Sequence, residues 1–163
     1  MDKVKRIAVI GVGNILMGDE GLGVRAVEKL EARKVPLNVT LFDGGTFLHS
    51  LLGTLEGFDK AVIIDAVKGG SAPGAIYRFT LQELESKQTG DPGRMLSLHE
   101  LVVPKALALE KLVSKLPEEI IFLGMEPEKI IPSRELSETV SGKMDQLLDA
   151  VEKEFSETKG GRE

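Results

Sequence analysis

The chain has no cysteine, no tryptophan, one tyrosine and only two histidines among its 163 residues. Without cysteine there can be no disulfide, no thiolate metal site and no cysteine nucleophile. No stretch approaches the roughly 18 uninterrupted apolar residues of a membrane-spanning helix. The opening Met1–Arg6 leads into only four apolar residues before Gly11, too few for the apolar part of a signal peptide. A cytoplasmic location is therefore expected. The net charge is −5 and no basic cluster occurs, which argues against a nucleic-acid partner. His-Glu-x-x-His and Gly-x-Ser-x-Gly are also missing, so the common metalloprotease and serine-hydrolase signatures are excluded.

What remains is an ordinary globular composition, 42% apolar and 29% charged. The length suits one domain with a full sheet and covering helices. We expect that domain over residues 1–156, with 157–163 a frayed tail. No surplus apolar face suggests self-association, so a monomer is expected.

Apolar periodicity orders the chain. A buried strand is expected over residues 6–10, a helix over 21–32 with Val24, Val27 and Leu30 inward, and a strand over 38–42 stopped by Asp43-Gly44-Gly45. Thr46 reads as the cap of a helix carrying Leu48, Leu51, Leu52 and Leu55. Residues 60–66 form a strand apolar enough for the sheet centre. A short Gly- and Pro-bearing connection then leads to residues 75–80, an antiparallel edge strand. Residues 87–97 and 126–136 read as mobile loops. Ser97-Leu98-His99-Glu100 opens a helix as a capping box, with Pro104 leaving its start between two positions. A last strand covers 119–125, and Ser137 caps a final amphipathic helix. The order β-α-β-α-β-β-α-β-α implies a twisted, mainly parallel sheet between two helical layers, with its site beyond the carboxyl ends of the strands.

Glu20 (with Asp19), Asp43 and Asp65 all fall at those ends. Gly11-x-Gly13 after a strand resembles a dinucleotide-binding turn, but position 16 is Leu rather than the third glycine. Asp19 and Glu20 would also stand against the phosphates. Two like charges about 4 Å apart repel by roughly 4 kcal/mol at a partly exposed site. Asp19 and Glu20 are otherwise read as helix-start acids complementing the macrodipole, and Asp43 as a turn residue bonding its own backbone. Asp65 ends the run Val62-Ile63-Ile64, where an unpaired charge is expensive, so it needs a metal, a cation or a hydrogen-bond cluster. His49 reads as a half-exposed helix residue. His99 stands in the first turn of a capped helix, whose positive end keeps imidazole neutral and able to ligate. Glu20, Asp65 and His99 together suit a borderline divalent metal with open positions.

Four motifs then carry a resemblance: Ile10-Gly-Val-Gly-Asn-Ile-Leu-Met-Gly-Asp-Glu-Gly-Leu-Gly-Val24, Asp43-Gly-Gly-Thr46, Ile64-Asp-Ala66 and Ser97-Leu-His99. The chain resembles the hydrogenase maturation endopeptidases, which trim the C-terminus of the large subunit of NiFe hydrogenases, over about residues 6–150. The resemblance implies a three-layer α/β/α fold, with a five-stranded, mostly parallel sheet and one antiparallel edge strand. It implies that Glu20, Asp65 and His99 are the metal-site residues and that Asp43 belongs to a further family motif, giving Glu20, Asp43 and Asp65 as candidate catalytic residues. The implied partner is a large-subunit precursor already loaded with nickel, which loses its C-terminal extension. The metal is then either the nickel of the substrate or another divalent ion held at the same site. A nickel-sensing module or chaperone without cleavage would carry the same three ligand positions.

Overall fold

The computed structural model describes residues 3–46, 52–83 and 116–156. Within them, β1 is Ile7–Val12, β2 Val39–Gly45, β3 Lys60–Ala66, β4 Ile76–Thr80 and β5 Glu119–Met125. They form one sheet in the order β2-β1-β3-β5-β4, parallel throughout except for β4, which runs antiparallel on the edge. The helices described from end to end are α1, Leu22–Arg33, and α2, Glu138–Ser156. This is the five-stranded α/β fold expected.

The unbroken apolar runs explain why β1, β3 and β5 sit at the centre, because a strand covered on both faces cannot alternate apolar with polar. Ile7, Val9, Val62, Ile64, Ile121 and Leu123 face α1 and α2, packing against Leu22, Val27, Leu30, Val140, Met144 and Leu147. Ala8, Ile10, Ile63 and Phe122 are buried on the other face, where Leu55 and Phe58 join them. Each such aliphatic side chain contributes about 1.5–3 kcal/mol by leaving water. Arg33 ties the two helices together, reaching Asp145, Asp149 and Glu152 at 3.0–3.2 Å. Ser137 caps α2 as expected, its Oγ accepting the Val140 N–H at 3.3 Å.

Several boundaries differ from expectation. β1 continues through Gly11 and Val12, and β2 continues through Asp43-Gly44-Gly45, which the sequence suggested as its stop. The glycines do not end pairing; they permit a bulge at Gly11/Val12 while Gly11 still pairs with Asp43 and Val12 with Gly45. A 3-10 turn, Gly18–Gly21, precedes α1, which begins one residue later than expected. Leu52–Leu55 is also a 3-10 turn, where an α-helix was expected. The rest of that helix at 47–51, the helix opening at Ser97, the loop at 87–97, Pro104 and the tail at 157–163 lie outside the described residues, as do His49 and His99.

At the amino ends of β3 and β5, Lys60 is only 2% exposed. Its Nζ donates to the Glu154 carboxylate and to the Glu154 backbone carbonyl, each at 2.9 Å. Arg78 adds a second cation to Glu154 at 2.8 Å. Burial alone would raise the Glu154 carboxyl, but the Arg78 and Lys60 hydrogen bonds and charges outweigh it and leave it below the usual carboxylate range. A depressed folded pKa stabilises the protein fully above the unfolded value, near 4.5, and loses that stability as pH falls through the folded value. The melting temperature of the wild type is therefore expected to fall more steeply below that pH than that of Glu154→Gln. At neutral pH the variant should lose about 2–3 kcal/mol, because buried Lys60 keeps only the longer, more exposed pair with Glu119 at 3.6 Å. Melting curves of both proteins across the acid range check this.

Candidate functional site

At the carboxyl edge of the sheet, α1 lies in close backbone contact with the strands. A side chain at Gly11 would collide with the backbone of Gly23 in α1, and one at Gly23 would collide with the carbonyls of Ile64 and Val12. The helix thus lies directly on β1 and β3. Gly23 performs the close helix–strand packing that the missing third glycine at Leu16 would serve in a dinucleotide fold. Gly13, at φ +140°, adopts a conformation open to glycine, and a Cβ there would overlap the Glu20 carbonyl oxygen. The backbone of Glu20 therefore rests on Gly13, and the Gly18–Gly21 turn packs against β3.

Asp19 and Glu20, adjacent in sequence, part company in space. Asp19 is fully buried. Its Oδ1 accepts the Ser137 N–H at 2.7 Å, and its Oδ2 accepts the Glu128 N–H, the Lys129 N–H and the Ser137 hydroxyl at 2.8–2.9 Å. It does not act as a surface helix-start acid. It holds the chain segment after β5, which is consequently pinned rather than a free loop. Glu20 is half-buried on the same turn, leaving it the carboxylate of the pair with access to solvent.

Asp65 is 4% exposed near the end of β3, its Oδ1 accepting the Ala66 N–H at 2.7 Å. It shares the strand against which the Glu20 turn packs, so these two acids are brought to one edge. Asp43 is placed differently. It pairs in register with Gly11, and by strand alternation it falls on the Leu41 face with α1, whereas Asp65 falls on the Ile63 face. β1 separates β2 from β3, which puts the two backbones about 10 Å apart. Asp43 is exposed and its Oδ1 accepts the Gly45 N–H at 2.9 Å, the turn-type bond anticipated for it. His99 lies outside the described residues. Among those residues no three His, Asp or Glu side chains group closely enough to hold a metal ion. For a divalent ion Glu20 and Asp65 would be hard oxygen donors, and the third ligand expected from the sequence is the His99 imidazole.

Two features at this edge were not anticipated from sequence. Glu126, 8% exposed just after β5, accepts the Tyr77 hydroxyl at 2.6 Å and the Gly69 N–H at 2.9 Å. A lone Glu after an apolar strand gives no local signal for this; its partners lie 49 and 57 residues earlier. Leu16 and Ile131 are about half exposed beside the Met17–Ser133 bridge, an apolar rim next to the Glu20 turn. Ile131 also borders a cleft of about 230 Å³, lined in part by Gly18, Lys129, Leu136 and Ser137.

The HycI family model, described as hydrogenase maturation protease, matches residues 24–154. The chain is 35% identical over 148 residues to the hydrogenase 2 maturation protease of Escherichia coli strain K12, spanning 90% of this chain and 88% of that one. It is 37% identical over 123 residues to the hydrogenase expression/formation protein HupD of Bradyrhizobium diazoefficiens, spanning 75% of this chain but 62% of HupD, less than two thirds of its length. The solved structure of the hydrogenase maturating endopeptidase HybD from E. coli aligns with a TM-score of 0.77 and 34% identity, over 90% of this chain and 89% of that one. The chain belongs to the hydrogenase maturation protease family. Among the described residues no helix is long and apolar enough to cross a membrane.

Proposed function

We propose that this protein is an endopeptidase that removes the C-terminal extension of a NiFe hydrogenase large-subunit precursor already carrying nickel. The observation that supports this most is the packing of the Glu20 turn on the strand that bears Asp65, in a chain of this family. In this reading the nickel is part of the substrate. Glu20 and Asp65, with His99, engage it and so fix the neighbouring peptide bond at the site by proximity. The substrate brings its own thiolates, so a chain without cysteine can still read nickel. Water adds to the scissile carbonyl carbon, the C–N bond breaks, and the departing amine takes the proton. Asp43 supports the reaction from near the end of β2, where its Oδ1 accepts the Gly45 N–H and shapes the end of the strand. The exposed Leu16 and Ile131 offer an apolar rim to the precursor.

The test uses metal-stripped protein with nickel-loaded and nickel-free precursor, read as a shift in subunit size. Cleavage of the loaded form alone, with no added metal, is the expected result. Cleavage that requires added zinc whatever the nickel content would overturn the substrate-metal reading. Binding of the loaded precursor with no change in its size would instead make the protein a nickel-sensing chaperone.

A further inference from the structure

The segment from Glu126 to Ser137 touches the supports of both acids at the candidate site. At one end Glu126 holds Gly69 and Tyr77, and the Met125 carbonyl accepts the Val67 N–H at 3.0 Å. That fixes the chain leaving Asp65. Further along, Asp19 takes its four hydrogen bonds from Glu128, Lys129 and Ser137. The pairing is returned through the backbone. The Asp19 N–H donates to the Lys129 carbonyl at 2.9 Å, the Gly18 N–H to the Ser133 carbonyl at 2.8 Å, and the Ser133 N–H to the Leu16 carbonyl at 3.0 Å.

We infer that Asp19 is a positioning residue for the cleavage reaction: it latches the Glu20 turn to the segment after β5, so that Glu20 and Asp65 are held in one fixed arrangement. This rests on the function proposed above. The donor set explains why an acid is needed. All four partners of Asp19 are neutral donors, and only a group that accepts at both oxygens satisfies them together. An Asn carbonyl can take over the Oδ2 bonds, but its NH2 then faces the Ser137 N–H. The turn shifts as that contact opens, and Glu20 is the next residue along it. Misplacing a recognition group by about 1 Å can cost on the order of 100-fold in rate.

Asp19→Asn is therefore expected to lower kcat/KM for nickel-loaded precursor roughly 10- to 100-fold, with KM raised, at a temperature where the variant is fully folded. Ser137→Ala, which removes one of the four bonds and leaves the carboxylate, should give a smaller loss in the same direction. Glu154→Gln, destabilised at the far edge of the sheet, should keep wild-type kcat and KM when folded. Loss of activity in Asp19→Asn only in proportion to loss of folded protein would overturn the inference. If Asp19→Asn does not fold, Ser137→Ala decides: unchanged kcat/KM overturns the latch, and a partial loss supports it. If the wild type cleaves no precursor, the functional reading fails instead. Amide hydrogen exchange then judges the latch in Ser137→Ala and, where it folds, Asp19→Asn: faster exchange across Gly18–Gly21 supports it and unchanged exchange overturns it.

Discussion

Glu20→Gln is expected to abolish processing of nickel-loaded precursor, by on the order of 100- to 1,000-fold, while the melting temperature stays close to the wild-type value. The loss is of the size seen when one preorganised polar group is removed from a reacting centre. The replacement is nearly isosteric, so packing is unchanged and only the charge is lost. Stability should change little because Glu20 is only half-buried and Gln keeps its size and an oxygen that accepts hydrogen bonds. The competing account, a helix-start acid serving the macrodipole, predicts the opposite pattern. It would cost about 0.3–1 kcal/mol of stability and nothing in catalysis. Rates and melting curves measured on one preparation separate the two. A variant that processes precursor at the wild-type rate removes Glu20 from the site.

Gly23→Ala is expected to cost about 3–5 kcal/mol, enough to remove much of the folded protein given a typical reserve of about 5–15 kcal/mol. Helix propensity points the other way, since Ala is favoured over Gly by about 1 kcal/mol within a helix. Sterics decide the sign here. The added methyl would meet the Ile64 and Val12 carbonyl oxygens, which belong to the two central strands. Neither can give way as a flexible side chain would. Ordinary overpacking costs about 1–3 kcal/mol, and contact with two fixed backbone atoms exceeds it. Gly142 provides the contrast: it lies in α2, where an added methyl would have nothing within 4 Å, so Gly142→Ala should stabilise by roughly 0.5–1 kcal/mol. Denaturant titration of both variants checks the pair. A Gly23→Ala protein as stable as wild type would mean that α1 can move off the sheet.

The central strands are legible because burial on both faces writes itself as an unbroken apolar run. β3 and β5 begin and end at the residues the sequence suggests, Lys60–Ala66 and Glu119–Met125. The edge strand β4 is legible because its short connection leaves no room for a crossover helix. Where glycine occurs, the sequence misleads in a consistent way. Gly11, Gly44 and Gly45 resemble breaks, yet they continue the strands, and nothing in the pattern marks Gly23 as the packing glycine. A glycine in one sequence does not say whether it bends the chain or admits a neighbour. The acids divide along the same line. Glu20 and Asp65 can be placed at one edge from topology alone. The burial of Asp19 cannot, because its partners lie 109 to 118 residues away. Nor can the opposite faces of Asp43 and Asp65, which depend on the strand register.

That long separation bears on when the protein becomes competent during synthesis. β1, the Gly18–Gly21 turn and α1 leave the ribosome early, but the carboxylate of Asp19 has no partners until Glu128, Lys129 and Ser137 have followed. Closing a loop of 118 residues costs about 4 kcal/mol in chain entropy by ideal scaling. The contact therefore forms only once the sheet has drawn its ends together. A nascent chain interrupted before Glu128 carries Glu20 and Asp65 but leaves the turn unlatched, and one interrupted before Ser137 lacks two of the four bonds. Completion of the candidate site thus waits on the translation of its last strand and the start of its last helix.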